Sequence, residues 1–291
     1  MNSAFETMLK KYHPKDNTQR ENAIKEIVQE IVLSGLSRGG FFEKAVFYGG
    51  TCLRILYGLD RFSEDLDFAL VKKDASFNLE DYFPYVKKEL ISYGLDMEIV
   101  KKDKNKEEND IQSAFVKGNT QVLFLSFFPN DEEINTINKN QAIKIKFEID
   151  TDNPEGGVVV SKYRLLPAPY EIKAFDEPTL FAGKIHAILC REYKNRVKGR
   201  DYYDYLFYCG KETKINLLYL ENKLKNSGFL KQNETLTIKR LKQMLKDKFA
   251  SVDFALAKKD VVSFVNNPDS LLFWNKELFL STLDNLIREK E

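Results

Sequence analysis

The sequence predicts an α+β protein, with a mixed α/β half followed by an α-helical half. Three observations carry this. Residues 142–150, AIKIKFEID, alternate apolar and polar without a break, which is the two-residue period of a half-buried strand. Residues 45–71 read as strand, glycine turn, short helix and second strand. From about residue 178 apolar residues recur at helical spacing through 179–196, 201–209, 214–226, 235–250, 252–266 and 270–289. Pro167, Pro169 and Pro178 punctuate the passage between the halves, which places a core domain over 1–170 and a helical domain over 171–291.

The elements follow in chain order. Ile24, Ile27, Val28, Ile31 and Val32 recur at helical spacing within 18–36, with Asn17 or Thr18 able to cap. Ala45–Tyr48 is a short buried strand that ends in Gly49-Gly50-Thr51, and a helix starts there and runs to Tyr57. Asp65–Val71 is the next strand and 79–95 an amphipathic helix. A connector rich in Lys, Asn, Asp and Glu covers 101–110, and the apolar run VLFLSFF (122–128) reads as a buried strand.

Composition excludes several classes. The 291 residues are 43% hydrophobic and 31% charged, a globular rather than disordered balance. No apolar run approaches the roughly 18 residues of a membrane span, and the polar N-terminus lacks the apolar core of a signal peptide, so cytoplasm is the expected location. Three widely spaced cysteines and two histidines show no zinc-binding pattern. Forty-five basic and 44 acidic residues nearly cancel, so nucleic-acid binding must rest on a local patch.

Asp65 and Asp67 stand at i and i+2 on a predicted strand, so both carboxylates share one face while Leu66 and Phe68 face the core. Two carboxylates on one face repel unless a cation joins them, and Mg²⁺ is commonly held by such a pair with substrate phosphates. A solvated edge strand would show the same pattern. The 142–150 strand puts Lys144, Lys146, Glu148 and Asp150 on one face, so a third carboxylate can meet the pair, as two-metal phosphoryl transfer requires. Gly49-Gly50-Thr51 lets bare backbone N–H groups approach a phosphate. Arg54 and Arg61 are candidate phosphate or carboxylate partners, or surface charge.

The runs GGTCLRILYGLDRFSEDLDF, KIKFEID and FAGKIHAILCREYKNRVKGRDYYDYLFY resemble the AbiEii/MenT group of nucleotidyltransferase toxins over roughly residues 41–210. The resemblance implies a DNA polymerase β-like nucleotidyltransferase core, a mixed twisted sheet flanked by helices, with a helical C-terminal domain. It implies an NTP substrate, Mg²⁺ or Mn²⁺ as cofactor, and transfer of a nucleotide to an acceptor hydroxyl such as the 3′ end of tRNA. The implied partner is a neighbouring AbiEi-type transcriptional regulator acting as antitoxin, and the implied setting is phage defence. By the same resemblance Gly49, Gly50 and Thr51 form the phosphate turn, Asp65 and Asp67 the metal pair, and Lys146 and Glu148 the K-x-[DE] motif. Glu148 is then the third carboxylate, with Asp150 its rival. Lys184 matches a triphosphate-contacting lysine, and Asp201 and Asp204 match the last acidic motif.

Lys184, Arg191, Lys194, Arg196, Lys198 and Arg200 concentrate positive charge opposed by Glu192 alone. Such a patch suits a triphosphate, an RNA backbone or both, and equally a solvated helix with a basic loop. Asp201 and Asp204, one helical turn apart, are placed to orient Lys184 or Arg200. Tyr202, Tyr203, Tyr205 and Tyr208 could stack on a base or pack a core. His186 takes no role. The Lys-rich stretch 238–248 is an RNA-facing surface or a solvated helix face. Two further functions compete with RNA transfer: nucleotidylation of a protein hydroxyl, and NTP binding without chemistry.

Overall fold

A computed structural model describes residues 3–10, 12–14, 16–101, 111–127, 141–192 and 196–286. The chain contains a seven-stranded mixed sheet in the order β3-β4-β5-β2-β1-β7-β6. The strands are β1 (Ala45–Tyr48), β2 (Leu66–Leu70), β3 (Glu98–Lys101), β4 (Ile111–Asn119), β5 (Ala142–Asp150), β6 (Val159–Arg164) and β7 (Tyr170–Phe175). The helices are α1 (Ser3–Leu9), α2 (Asn17–Arg38), α3 (Gly49–Tyr57), α4 (Phe83–Ser92), α5 (Thr120–Phe127), α6 (Glu177–Cys190), α7 (Gly199–Gly210), α8 (Leu217–Asn226), α9 (Ile238–Ser251), α10 (Phe254–Val261) and α11 (Lys276–Ser281). The α+β class expected from the sequence is the class observed.

The chain forms two compact units. The first comprises 1–51, 63–153 and 161–174, and the second 52–62, 154–160 and 175–291. In the first unit the sheet alternates as the sequence requires: Ile143, Ile145, Phe147 and Ile149 of β5 are fully buried. Helix α2 packs against β5 and α4, and Ile24, Ile27, Val28, Ile31 and Val32 are all fully buried. Asp16, rather than Asn17 or Thr18, caps α2 by accepting from the Gln19 amide. One charged group, Glu30, follows the apolar stripe inward. Glu30 accepts from the Tyr170 hydroxyl at 2.8 Å and from the Arg164 guanidinium.

In the second unit α6 packs on α7 and α8, and α7 on α10. Gly199 at the start of α7 lets the two backbones meet, because a Cβ there would lie 1.8 Å from the Ala257 carbonyl oxygen. Tyr202, Tyr205 and Tyr208 are almost fully buried and pack with Phe181, Phe249 and Phe279. They are core residues, not a base-stacking platform. Tyr203 instead donates its hydroxyl to Asp60 at 2.7 Å.

Several elements differ from expectation. The 122–128 run is not a strand: Thr120–Phe127 is helix α5, with Asn119 Oδ1 accepting from the Val122 amide, and residue 128 lies outside the described residues. A run this short and uniformly apolar has no period to separate helix from strand. The 79–95 helix divides into a 3-10 turn (Leu79–Tyr82) and α4. The helix expected over 179–196 ends at Cys190, and Lys194 lies outside the described residues. The long helices expected over 252–266 and 270–289 are the short α10 and α11 with 3-10 turns, and 287–291 are not described. Most of the 101–110 connector likewise lies outside the described residues. Strands β3, β4, β6 and β7 have no counterpart in the sequence reading.

Candidate active site

The first unit assembles its carboxylates by register. β2 pairs antiparallel with β1 and parallel with β5, which sets Tyr48, Asp67 and Glu148 opposite one another, with Ser113 of β4 opposite Glu148. Direct cross-strand partners share a face. Asp67 and Glu148 therefore project side by side, and both are half-buried. Asp150 stands level with Ala69, two residues further along, and its Oδ1 accepts from the Asp152 amide. Register thus sets Glu148, and not Asp150, level with Asp67. Asp65 immediately precedes β2 and is also half-buried.

Gly49 explains how the turn and the carboxylate fit together. It leaves β1 with φ +80°, a left-handed conformation that favours glycine. A Cβ on it would lie 2.3 Å from Asp67 Oδ2, so the missing side chain is the space the Asp67 carboxylate occupies. Gly49 and Gly50 open α3, whose first N–H groups have no carbonyl partner within the helix. Thr51 departs from the expected phosphate role: it is fully buried, and its hydroxyl donates to the Asp65 carbonyl at 2.5 Å.

Lys146 Nζ lies 2.5 Å from Glu148 Oε2 on the same strand face. Among the described residues, no group of three or more His, Cys, Asp and Glu side chains stands gathered to hold a metal ion. The donor chemistry nonetheless suits a hard divalent cation: Asp67 and Glu148 offer carboxylate oxygens side by side. The Ser113 hydroxyl, buried opposite Glu148, has no hydrogen-bond partner among the described residues.

The second unit gathers the remaining predicted residues into one ion network. Lys184 Nζ is 2.9 Å from Asp201 Oδ1 and 2.8 Å from Asp204 Oδ2. Asp204 also takes Arg61 bidentately, at 2.6 Å from Nε and 2.7 Å from Nη2, and Asp201 takes Arg191. Both carboxylates are buried. Burial alone would raise Asp201, but Lys184 and Arg191 outweigh it and hold its carboxyl at about 2. Asp204 is lowered in the same way, burial being overcome by Arg61 and Lys184. Burial opposes the charge on Lys184, yet the two carboxylates raise its pKa. The expectation that Asp201 and Asp204 orient Lys184 matches this geometry.

Of the roles open to Arg61, the structure shows the carboxylate partner. Only 2% exposed and bound bidentately to Asp204, it is an internal ion pair rather than a surface phosphate ligand. Arg54 packs its guanidinium 4.2 Å over the Phe62 ring and donates to the Leu59 carbonyl, holding the loop after α3. Arg191, Arg196, Lys198 and Arg200 line a cavity of about 290 Å³ with Glu192. Arg196 pairs with Asp260, whereas half-buried Lys198 forms no ion pair among the described residues. Burial and then the neighbouring Arg191 lower the Lys198 pKa. His186 contacts Ser227 at 3.1 Å, and burial lowers its pKa to about 4.

The sequence reading missed Gln29, which is fully buried and donates from Nε2 to the carbonyls of Ser63 (3.0 Å) and Glu64 (2.8 Å), just before Asp65. The available signal was a Gln-Glu pair inside the apolar stripe of α2.

Acidic side chains thus stand level on two parallel neighbouring strands, beside a glycine turn that opens a helix. Comparison with a solved toxin structure agrees on fold. The structure of MenT4, a nucleotidyltransferase toxin from Mycobacterium tuberculosis H37Rv, aligns with a TM-score of 0.55 at 15% identity, covering 97% of this chain and 90% of that one. JHP933 from Helicobacter pylori aligns with a TM-score of 0.47 at 19% identity, over 89% of this chain and 87% of the other. No curated protein matches the sequence. The family model described as nucleotidyl transferase AbiEii toxin, type IV TA system, matches residues 31–279, and the chain belongs to that family. It is therefore a nucleotidyltransferase toxin of a toxin–antitoxin system, and the family implies a nucleotide substrate and an antitoxin partner. Among the described residues no helix is long and apolar enough to cross a membrane.

Proposed function

We propose that this toxin transfers a nucleotidyl group from an NTP to the 3′-terminal hydroxyl of tRNA in a divalent-cation-dependent reaction. The observation that carries the reading is the register of Asp67 with Glu148 beside the Cβ-free turn at Gly49. Asp65, Asp67 and Glu148 would hold Mg²⁺ or Mn²⁺, which neutralises charge at the reacting phosphates. This requires the Glu148 carboxylate to exchange Lys146 for the cation, an exchange its half-buried position allows.

The chain's own groups do the rest. The Gly49 and Gly50 amides donate to phosphate oxygens. Lys184 gives two of its three N–H donors to Asp201 and Asp204, and its role as a triphosphate-contacting lysine comes from the family resemblance. The acceptor oxygen bonds to the α-phosphorus in line, the α–β anhydride bond breaks, pyrophosphate leaves, and Glu148 takes the hydroxyl proton. Most of the acceleration is positioning and charge neutralisation.

An RNA acceptor is favoured over a protein hydroxyl by the cavity of four cationic residues at Arg191, Arg196, Lys198 and Arg200, which suits a phosphodiester backbone. The tRNA terminus follows from the family resemblance, as do an AbiEi-type regulator encoded next door, action in the cytoplasm and a role in phage defence. The test is incubation of the purified chain with each α-labelled NTP and total RNA or total protein, with and without EDTA. EDTA-sensitive label in the tRNA band is the expected result. Label on protein alone would transfer the reading to the other acceptor, and no label on either would leave a binding protein.

A further inference from the structure

We infer that Gln29 and Thr51 form a two-sided clamp that sets the orientation of Asp65, and that Gln29 is thereby a positioning residue of the active site. The inference rests on the reading of Asp65 as a metal-holding carboxylate. For Asp65 and Asp67 to share a face, the backbone must already be extended at Asp65. Yet β2 begins at Leu66, so the ladder that fixes Asp67 does not include Asp65, and some other device must hold it.

That device is a row of three consecutive carbonyls, each engaged by a side chain. Gln29 Nε2 donates to Ser63 O at 3.0 Å and Glu64 O at 2.8 Å from one helix. Thr51 Oγ1 donates to Asp65 O at 2.5 Å from another. The peptide planes on both sides of Asp65 are therefore anchored, and both anchors are fully buried. The two carbonyl acceptors also fix which way the Gln29 amide points, since only its nitrogen can donate.

The opposite end of that amide shows what the clamp costs. Gln29 Oε1 is buried with no hydrogen-bond partner among the described residues. An apolar residue would pack the α2 stripe without this desolvation penalty, so the amide's contribution lies in the loop it holds. Lys25, one turn earlier on α2, reinforces the attachment with its ammonium 3.7 Å from Glu64 Oε1.

The experiment uses the full-length chain and two readouts independent of transfer: hydrogen exchange at the 63–67 amides, and Mn²⁺ affinity measured by titration in the presence of an NTP. Gln29→Met keeps the volume and removes the donors; Thr51→Val removes the hydroxyl, and Thr51→Ser retains it. Expected results are faster exchange confined to 63–67 and about tenfold weaker Mn²⁺ binding in Gln29→Met and Thr51→Val, with Thr51→Ser near wild type. If Gln29→Met fails to fold, the Val/Ser pair at Thr51 carries the test alone. A folded Gln29→Met or Thr51→Val protein with wild-type Mn²⁺ affinity would overturn the clamp. Asp65→Ala is the reference: weakened binding there with full binding in the clamp variants rejects the clamp alone, whereas full binding in Asp65→Ala removes the reading beneath it.

Discussion

Replacing Asp204 by Asn should destabilise the second unit more than any other single charge removal in its ion network. The carboxylate is fully buried and receives Arg61 through two hydrogen bonds and Lys184 through a third. Asn preserves the shape but removes the charge, and turns an N–H₂ group toward donors. Arg61, 2% exposed, then keeps its charge with no buried carboxylate, and Lys184 retains only Asp201. Breaking a buried pair from one side costs about 3–5 kcal/mol. Trp274, the sole tryptophan and buried in the second unit, provides the signal for urea unfolding. At about 2 kcal/mol per molar urea, the midpoint should fall by about 1.5–2.5 M.

Two controls make the reasoning testable. Arg61→Met leaves Asp204 with Lys184 and should cost less than Asp204→Asn. The acid limb supplies the other. Asp201 is held at about 2 against an ordinary 3.8, and Asp204 is lowered as well. A depressed carboxyl stabilises the fold above its unfolded value and loses that contribution as pH falls through its folded value. Asp201 alone then accounts for about 2 kcal/mol lost between about pH 4 and pH 2, and the Asn variant should show a shallower acid loss than wild type. A midpoint for Asp204→Asn within 0.5 M of wild type, or a larger loss in Arg61→Met, would refute the account.

Three further substitutions follow from the geometry. Gly49→Ala places a methyl where Asp67 Oδ2 lies and strains a φ of +80°; it should cost about 1–2 kcal/mol of stability but lower labelled transfer more than tenfold. Gly199→Ala drives a methyl into the Ala257 carbonyl and should cost about 3 kcal/mol by the Trp274 transition, because the backbones of α7 and α10 must separate. Lys198→Gln should leave folding intact, since it relieves repulsion from Arg191, while weakening RNA binding and reducing the salt slope of log K by about 1, as read by filter binding across a salt series.

How much of this was legible depended on whether the signal was local. The alternation of β5 and the D-x-D spacing are properties of adjacent residues, so the carboxylate faces could be read directly. The glycine turn was equally local, although the space its missing Cβ leaves is taken by the Asp67 carboxylate. The level of Asp67 with Glu148 rather than Asp150 is a matter of inter-strand register, which no single segment encodes. Arg61 meets Asp204 across 143 residues, so its sequence neighbours left a phosphate partner, a carboxylate partner and surface charge all open. Thr51 carried the right hydroxyl in the right turn, but its direction was set by the Asp65 carbonyl. β4 escaped notice because its buried face, Ala114, Val116 and Gly118, is too small and mixed to mark a strand, and β6 and β7 flank a proline-rich turn.

Asp67, beside Gly49 and level with Glu148, should be indispensable to nucleotidyl transfer. The direct measurement is label transfer from an α-labelled NTP by Asp67→Ala, with urea unfolding run in parallel. Transfer at background in a protein that unfolds at the wild-type midpoint is the predicted result. Wild-type transfer by the folded variant would contradict the account.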